Sequence, residues 1–236
     1  MNYISHYQKD AEEFDYFEER RGATEHDERR LRDYVISEIP DQYNLILDAG
    51  CGSAWVAEKL LSENKTVISM DISLANVIKA KSKYSSANHY CIVGDSLYPP
   101  FKNKSVDCII ASEVIEHVTE PKMFIEKLLD KVKSNGILII SCPYKEVIRY
   151  VLCVHCNQKT PIHSHMHSFD ECKLKALHPS KEDYKFEVKI FGNKYLIYLH
   201  TYIILKYLPF ILWKYVDKVF NFVLGKPVHI IAKYRP

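Results

Sequence analysis

Glycine is scarce in this chain, with seven residues in 236 against 17 tyrosines and 11 histidines. That excludes collagen-like and glycine-rich low-complexity classes. Neither sign of charge dominates, since 32 basic and 30 acidic residues leave a net charge of +2. A nucleic-acid partner held by bulk positive charge is therefore not expected. The seven cysteines are odd in number and scattered, which favours a reducing cytosol over a disulfide framework. The start, MNYISHYQKDAEEF, lacks the basic-then-apolar pattern of a secretory signal, so a cytoplasmic protein is expected. What is present is ordinary for a globular chain: 47% hydrophobic and 26% charged residues, enough for one domain with a sizeable core.

The first forty residues are charged, with nine acidic and five basic side chains between 8 and 30, and read as an amphipathic helical cap ending near Pro40. From residue 45 short apolar runs alternate with helical patterns. Strands are expected at 45–48, 66–70, 89–93, 106–111 and 136–141, and helices at 53–63, 73–84 and 121–132. Ser73 suits an N-cap, and Ser168 to Glu171 fits a capping box that opens a further helix. Later strands are expected at 186–191 and 228–233, flanking two short helices within 195–224. This rhythm is that of an α/β protein with a doubly wound, mostly parallel sheet.

Two of the few glycines lie two residues apart in Leu47-Asp48-Ala49-Gly50-Cys51-Gly52, at a strand end before a helix. A turn without Cβ atoms lets a ligand approach the backbone, and ligands on such sheets sit at the carboxyl ends of the strands. Asp71 follows Gly50 by 21 residues at the next strand end, the separation of a carboxylate that accepts both hydroxyls of a ribose. Trp55 stands where a dinucleotide fingerprint needs its third glycine, and no phosphate-binding loop motif occurs. The pocket therefore suits an adenosine-type ligand without a pyrophosphate. Gly94-Asp95-Ser96 ends the third strand with a carboxylate placed for an adenine amino group.

Taken together, ILDAGCGS at 46–53, Asp71-Ile72-Ser73, Gly94-Asp95 and SEVIEHV at 112–118 resemble the class I S-adenosylmethionine-dependent methyltransferases over about residues 44–142. Ala54 departs from a third glycine common in that family. The resemblance implies a seven-stranded sheet with an antiparallel final strand, and S-adenosylmethionine as cofactor. It implies Gly50, Cys51 and Gly52 along the methionine moiety, with Asp48 and Ala49 leading into the turn. Asp71 and Ile72 would meet the ribose, Asp95 and Ser96 the adenine, and Ser112 and Glu113 the sulfonium side. The implied activity is methylation of a small or carrier-linked acceptor, on an oxygen of a sugar, lipid or metabolite. A protein that binds the cofactor without transferring methyl groups is the reading from a different class.

The chemistry calls for an in-line methyl transfer and removal of a proton from the acceptor. His117 with Glu116 is the candidate base pair, or else the two only orient the following segment. The spacing Glu113-x-x-Glu116-His117 is also similar to methyltransferases that hold a divalent metal there, including small-RNA and ubiquinone-pathway O-methyltransferases. A separate metal reading concerns Cys153 and Cys156, a C-x2-C pair that His165 and His167 would complete as a structural Zn²⁺ site. Its bland counterpart is a reduced cysteine pair beside surface histidines. Cys51, Cys91, Cys108 and Cys142 read as small core residues. Residues 195–224 are apolar on nearly every side, yet Lys206 and Pro209 interrupt them too often for a membrane span. A lid, a dimer face and a peripheral membrane surface are the three readings of that stretch.

Overall fold

The computed structural model describes residues 3–178 and 184–236, so the last two residues of the Cys/His-rich stretch at 150–180 lie outside it. Two helices open the chain, α1 (Tyr3–Glu13) and α2 (Gly22–Ile36), where the charge pattern suggested one. The break falls at Phe14–Arg21, where the Asp15 carboxylate accepts the Phe17 N–H in a turn. There follow β1 (Leu45–Ala49), α3 (Trp55–Leu60), β2 (Thr66–Asp71), α4 (Leu74–Lys83), β3 (His89–Val93) and β4 (Val106–Ser112). A single 3-10 turn at Ile115–His117 precedes α5 (Pro121–Leu129) and the long β5 (Val132–Pro143). Ser73 caps α4 as expected, its hydroxyl accepting the Asn76 N–H.

The seven-stranded sheet has the order β3-β2-β1-β4-β5-β9-β8, with β8 at Lys185–Asn193 and β9 at Pro227–Arg235. Pairing is parallel from β3 to β5, and β9 runs antiparallel to both of its neighbours. The expected α/β class and strand arrangement are therefore observed. The order reverses between β1 and β4, which puts the ligand crevice at their carboxyl ends.

Alternate residues of the central strands feed two cores. Ile46, Cys108, Ile110, Ile137 and Ile139 pack under α2 and α3 with Trp213, whereas Leu47, Ile109, Leu138 and Ile140 pack under α5 with Phe124 and Leu128. All of these strand residues are fully buried. Each such side chain contributes about 1.5–3 kcal/mol, so the sheet centre is the rigid part of the molecule. Gly136 sits where β5 meets β4, and a Cβ there would stand 2.5 Å from the Asp107 carbonyl oxygen.

After β5 the chain forms a small antiparallel hairpin, β6 (Tyr150–Leu152) and β7 (Lys159–Pro161), and then α6 (Glu171–Ala176). The capping box at Ser168 is not formed. Phe169 is drawn into a parallel bridge with Tyr144 and buried, so the chain stays extended until Asp170, whose carboxylate caps α6 by accepting the Lys173 N–H. Three helices fill the segment before β9, not two: α7 (Lys194–Tyr198), α8 (Tyr202–Leu205) and α9 (Phe210–Leu224).

Candidate active site

The glycine turn is pinned to the end of β2, since the Gly50 and Cys51 N–H groups both donate to the Met70 carbonyl at 2.8 and 3.0 Å. Gly50 and Gly52 have φ of +80° and +47°, and a Cβ on Gly50 would lie 2.7 Å from a Val114 methyl. Glycine is required there by conformation and by space. Ala54 is also left-handed, at φ +54°, and forms the N-cap of α3. This explains why a glycine suits that position; alanine holds the same conformation at a cost of about 1–2 kcal/mol.

Asp71 ties the turn to the next strand. One carboxylate oxygen accepts the Gly52 N–H at 2.9 Å, and the other accepts the Ser73 N–H at 2.9 Å and the Asn76 side-chain amide. Burial raises its carboxyl above the usual range, and these donors only partly offset that. A cavity opens over this turn, walled by Gly50, Gly52, Asp71, Ile72, Asp95, Ser96 and Glu113. Four residues of the expected cofactor set do not reach the wall. Asp48, Ala49 and Cys51 are buried behind it, and the Ser112 hydroxyl pairs with that of Ser141 at 2.8 Å. Burial, and then the neighbouring Asp71, pushes the Asp48 carboxyl up to about 8.

The sequence reading missed the cavity's roof, which is made of Tyr3, Tyr7 and Tyr16. The Tyr3 hydroxyl donates to Asp95, and the Tyr7 hydroxyl reaches the His117 carbonyl at 3.4 Å. Tyr3 and Tyr7 are four residues apart on α1 and so share a face, a signal present in the sequence.

Beyond the cavity floor the 3-10 turn presents Glu116 and His117. Glu116 is 1% exposed, and neither of its carboxylate oxygens has a partner. Its carboxyl is raised well above the usual range by burial and then by Glu113. Glu113 itself holds a left-handed backbone at φ +56°, has one unpartnered oxygen, and is raised by burial. Strain and orphaned polar groups together mark a site held in place by its surroundings. His117 is lowered to about 4, first by burial and then by His165. The Ser164 backbone hydrogen bond uses one ring nitrogen, which leaves the unpartnered Nδ1 as the free lone pair.

His165 comes from the Cys/His-rich stretch. Ligand atoms of Glu116, His117 and His165 lie within 4.8 Å of one another, the one such group of three among the described residues. The His117 and His165 rings are 4.7 Å apart, and the other side of His165 pairs with Glu146. The clamp is made by backbone: the Met166 and His167 N–H groups donate to the Glu116 carbonyl at 2.8 and 3.2 Å.

That arrangement corrects the expected zinc set. Cys153 and Cys156 stand on the β6–β7 turn, where the Cys156 and His155 N–H groups lower the Cys153 thiol. His165 faces Glu116 and His117 instead, and His167 pairs with the Val118 carbonyl at 2.9 Å. The four residues are not brought together, because the Glu116 carbonyl holds the Met166 and His167 N–H groups and Glu146 pairs with His165, away from the hairpin.

Residues 47–140 match the family described as "Methyltransferase domain". A ubiquinone biosynthesis O-methyltransferase from Rickettsia canadensis is 33% identical over 127 residues, covering 51% of this chain and 53% of that one. The chain thus spans about half the length of the curated relatives it matches. Among solved structures, a protein from Pyrococcus horikoshii OT3 shares the fold with a TM-score of 0.63 at 16% identity, covering 97% of this chain and 98% of that one. A phosphoethanolamine N-methyltransferase from Haemonchus contortus, solved with S-adenosyl-L-methionine, gives 0.59 at 15% identity over 89% of this chain and 52% of that one.

Proposed function

We propose that this chain, whose residues 47–140 are a class I S-adenosylmethionine-dependent methyltransferase domain, methylates a hydroxyl oxygen of a quinol- or catechol-type acceptor. In this reading Glu116, His117 and His165 hold a divalent cation beside that oxygen. The observation that carries it is the buried, wholly unpartnered Glu116 carboxylate within ligand distance of two imidazoles. The Rickettsia relative is named for O-methylation in ubiquinone biosynthesis, which supports the acceptor class.

The donor set fits such an ion. One carboxylate and two imidazoles suit a borderline or hard divalent cation, and Glu146 orients His165 as a second carboxylate does behind a ligating histidine. A bound cation supplies charge that lowers the pKa of a hydroxyl on it. The chain's own groups then do the rest. Asp71 and the glycine turn hold the cofactor, and the α1 tyrosines cover it and exclude water. His117 is unprotonated at neutral pH, with its Nδ1 lone pair directed by the Ser164 bond to the other nitrogen. A histidine held at about 4 keeps a proton poorly, so it serves better as a ligand than as the base. Overall, the acceptor loses its hydroxyl proton to solvent and gains the methyl carbon, while the sulfonium becomes the neutral thioether.

The test is transfer of radiolabelled methyl from S-adenosylmethionine to a catechol, with Mg²⁺ or Mn²⁺ present and then removed by a chelator. Labelled catechol ether that disappears on chelation is the expected result. Transfer unaffected by chelation overturns the cation's role, and no transfer to any hydroxylated acceptor favours a protein that only binds the cofactor.

A further inference from the structure

The helical segment between β8 and β9 is apolar on its outer face as well as its inner one. On α9 the side chains of Trp213, Val216, Asp217 and Phe220 turn inward, which accounts for the helix's packing. Yet Phe222 is 90% exposed, Tyr207 77% and Ile204 73%, and Ile211, Tyr215 and Val219 are exposed as well. On α9 the spacing 211, 215, 219, 222 is the three- and four-residue step of one helical face, and Ile204 on α8 and Tyr207 in the turn after it add exposed apolar surface. Exposed apolar surface of that extent on one side marks an interaction site.

The charges of the segment are one-sided. Between 194 and 226 there are five lysines, at 194, 206, 214, 218 and 226, and no arginine or glutamate. The one acid, Asp217, is buried and accepts the Gly192 N–H. A formal charge of +4 thus lies on 33 residues of a chain that carries +2 in all. Apolar and aromatic side chains in one stripe, with lysines beside them, form the pattern of a helix that lies in a lipid interface. Among the described residues no helix is long and apolar enough to cross a membrane.

We propose that the outer face of α8 and α9 docks on an anionic lipid bilayer, with the apolar stripe in the acyl boundary and the lysines among acidic headgroups. Charge complementarity selects this occupant over a second copy of the chain, which would bring two basic faces together. A second cavity opens at α7, at the start of the same segment. Lys194 and Ile197 line it together with Glu146, the residue that holds His165. A membrane-borne acceptor would therefore enter beside the Glu116 cluster. That consequence rests on the methyl-transfer reading, whereas the docking itself does not.

Flotation of the full chain with vesicles tests the proposal, using phosphatidylcholine alone and phosphatidylcholine with phosphatidylglycerol. The protein should float with the anionic vesicles and much less with the neutral ones. Lys206→Glu with Lys214→Glu and Lys218→Glu should cut binding to anionic vesicles by roughly a hundredfold or more, at about one kcal/mol per lysine. Phe222→Ser with Val219→Ser should also release the protein, with its melting temperature and cofactor affinity unchanged because both side chains face outward. Absence of flotation overturns the proposal, and equal flotation on neutral vesicles overturns the anionic assignment. A dimer by light scattering that Phe222→Asp dissociates means that a second copy covers the face instead.

Discussion

The two halves of the site are built by different means. On the cofactor side, β1, β2 and the glycine turn hold their geometry through backbone groups: Met70 O accepts from Gly50 and Cys51, and Asp71 accepts from Gly52 and Ser73. Nearly every bond there joins residues at neighbouring strand ends. On the side proposed for the acceptor, Glu116 and His117 meet His165 and Glu146 from a later segment, and the meeting leaves buried polar atoms without partners. In the first half Asp48 leaves one buried carboxylate oxygen unpartnered, whereas the second leaves both Glu116 oxygens, one Glu113 oxygen and the His117 Nδ1 unpartnered, a fuller set of atoms to spare for something it would bind. The glycine turn is thus held by neighbouring strand ends, while the cluster proposed for the acceptor needs a later segment to complete it.

Substitutions can break that contrast, and the largest effect should fall on the cofactor side. Asp71→Ala removes a buried carboxylate that holds two backbone N–H groups and is placed for a ribose. Calorimetry should show affinity for S-adenosylhomocysteine reduced by roughly a hundredfold or more, at about 1.5–3 kcal/mol per charged hydrogen bond. Unchanged affinity would remove Asp71 from the site. On the other side, His165→Ala and Glu146→Gln should each lower methyl transfer by about 10–100-fold and leave that affinity intact. Loss of cofactor binding in either variant would mean that the halves are not separate.

Gly50→Ala sharpens the comparison on stability. A Cβ would meet Val114 at 2.7 Å on a backbone at φ +80°, and this strain should lower unfolding free energy by about 1–3 kcal/mol. A denaturant midpoint equal to wild type would show that the turn relaxes without cost. The smallest effect should come from the far edge of the sheet, away from both halves. Lys233, with Arg235, holds Glu187 down from 4.5 to about 2. The stability it contributes is full above about pH 4.5 and is lost as pH falls toward 2. Because its side chain is 48% exposed, Glu187→Gln should cost no more than about 1 kcal/mol at pH 7 and flatten the acid limb of the stability curve.

The same contrast explains what the sequence made legible. Glycine spacing, strand-end acids and alternating apolar runs are local patterns, so the sheet and the Gly50–Asp71 pair were readable. The spacing of Tyr3 and Tyr7 put them on one face of α1, but what that face covers was not readable, because Tyr3 meets Asp95 across 92 residues. His165 stood out in the sequence, but the residues it meets did not. Closeness along the chain suggested Cys153 and Cys156, whereas two backbone bonds to the Glu116 carbonyl and the pairing with Glu146 decide the outcome. Exposure of the α9 stripe is likewise a tertiary fact, since its inner and outer faces are both apolar in sequence.

The most direct measurement is calorimetric titration of Mn²⁺ into the full chain and into Glu116→Gln, each followed by S-adenosylhomocysteine. One ion per chain should bind to wild type and fail to bind to Glu116→Gln, while both proteins bind S-adenosylhomocysteine alike. Equal Mn²⁺ binding by the two proteins, or none by either, would contradict a cation site at Glu116, His117 and His165.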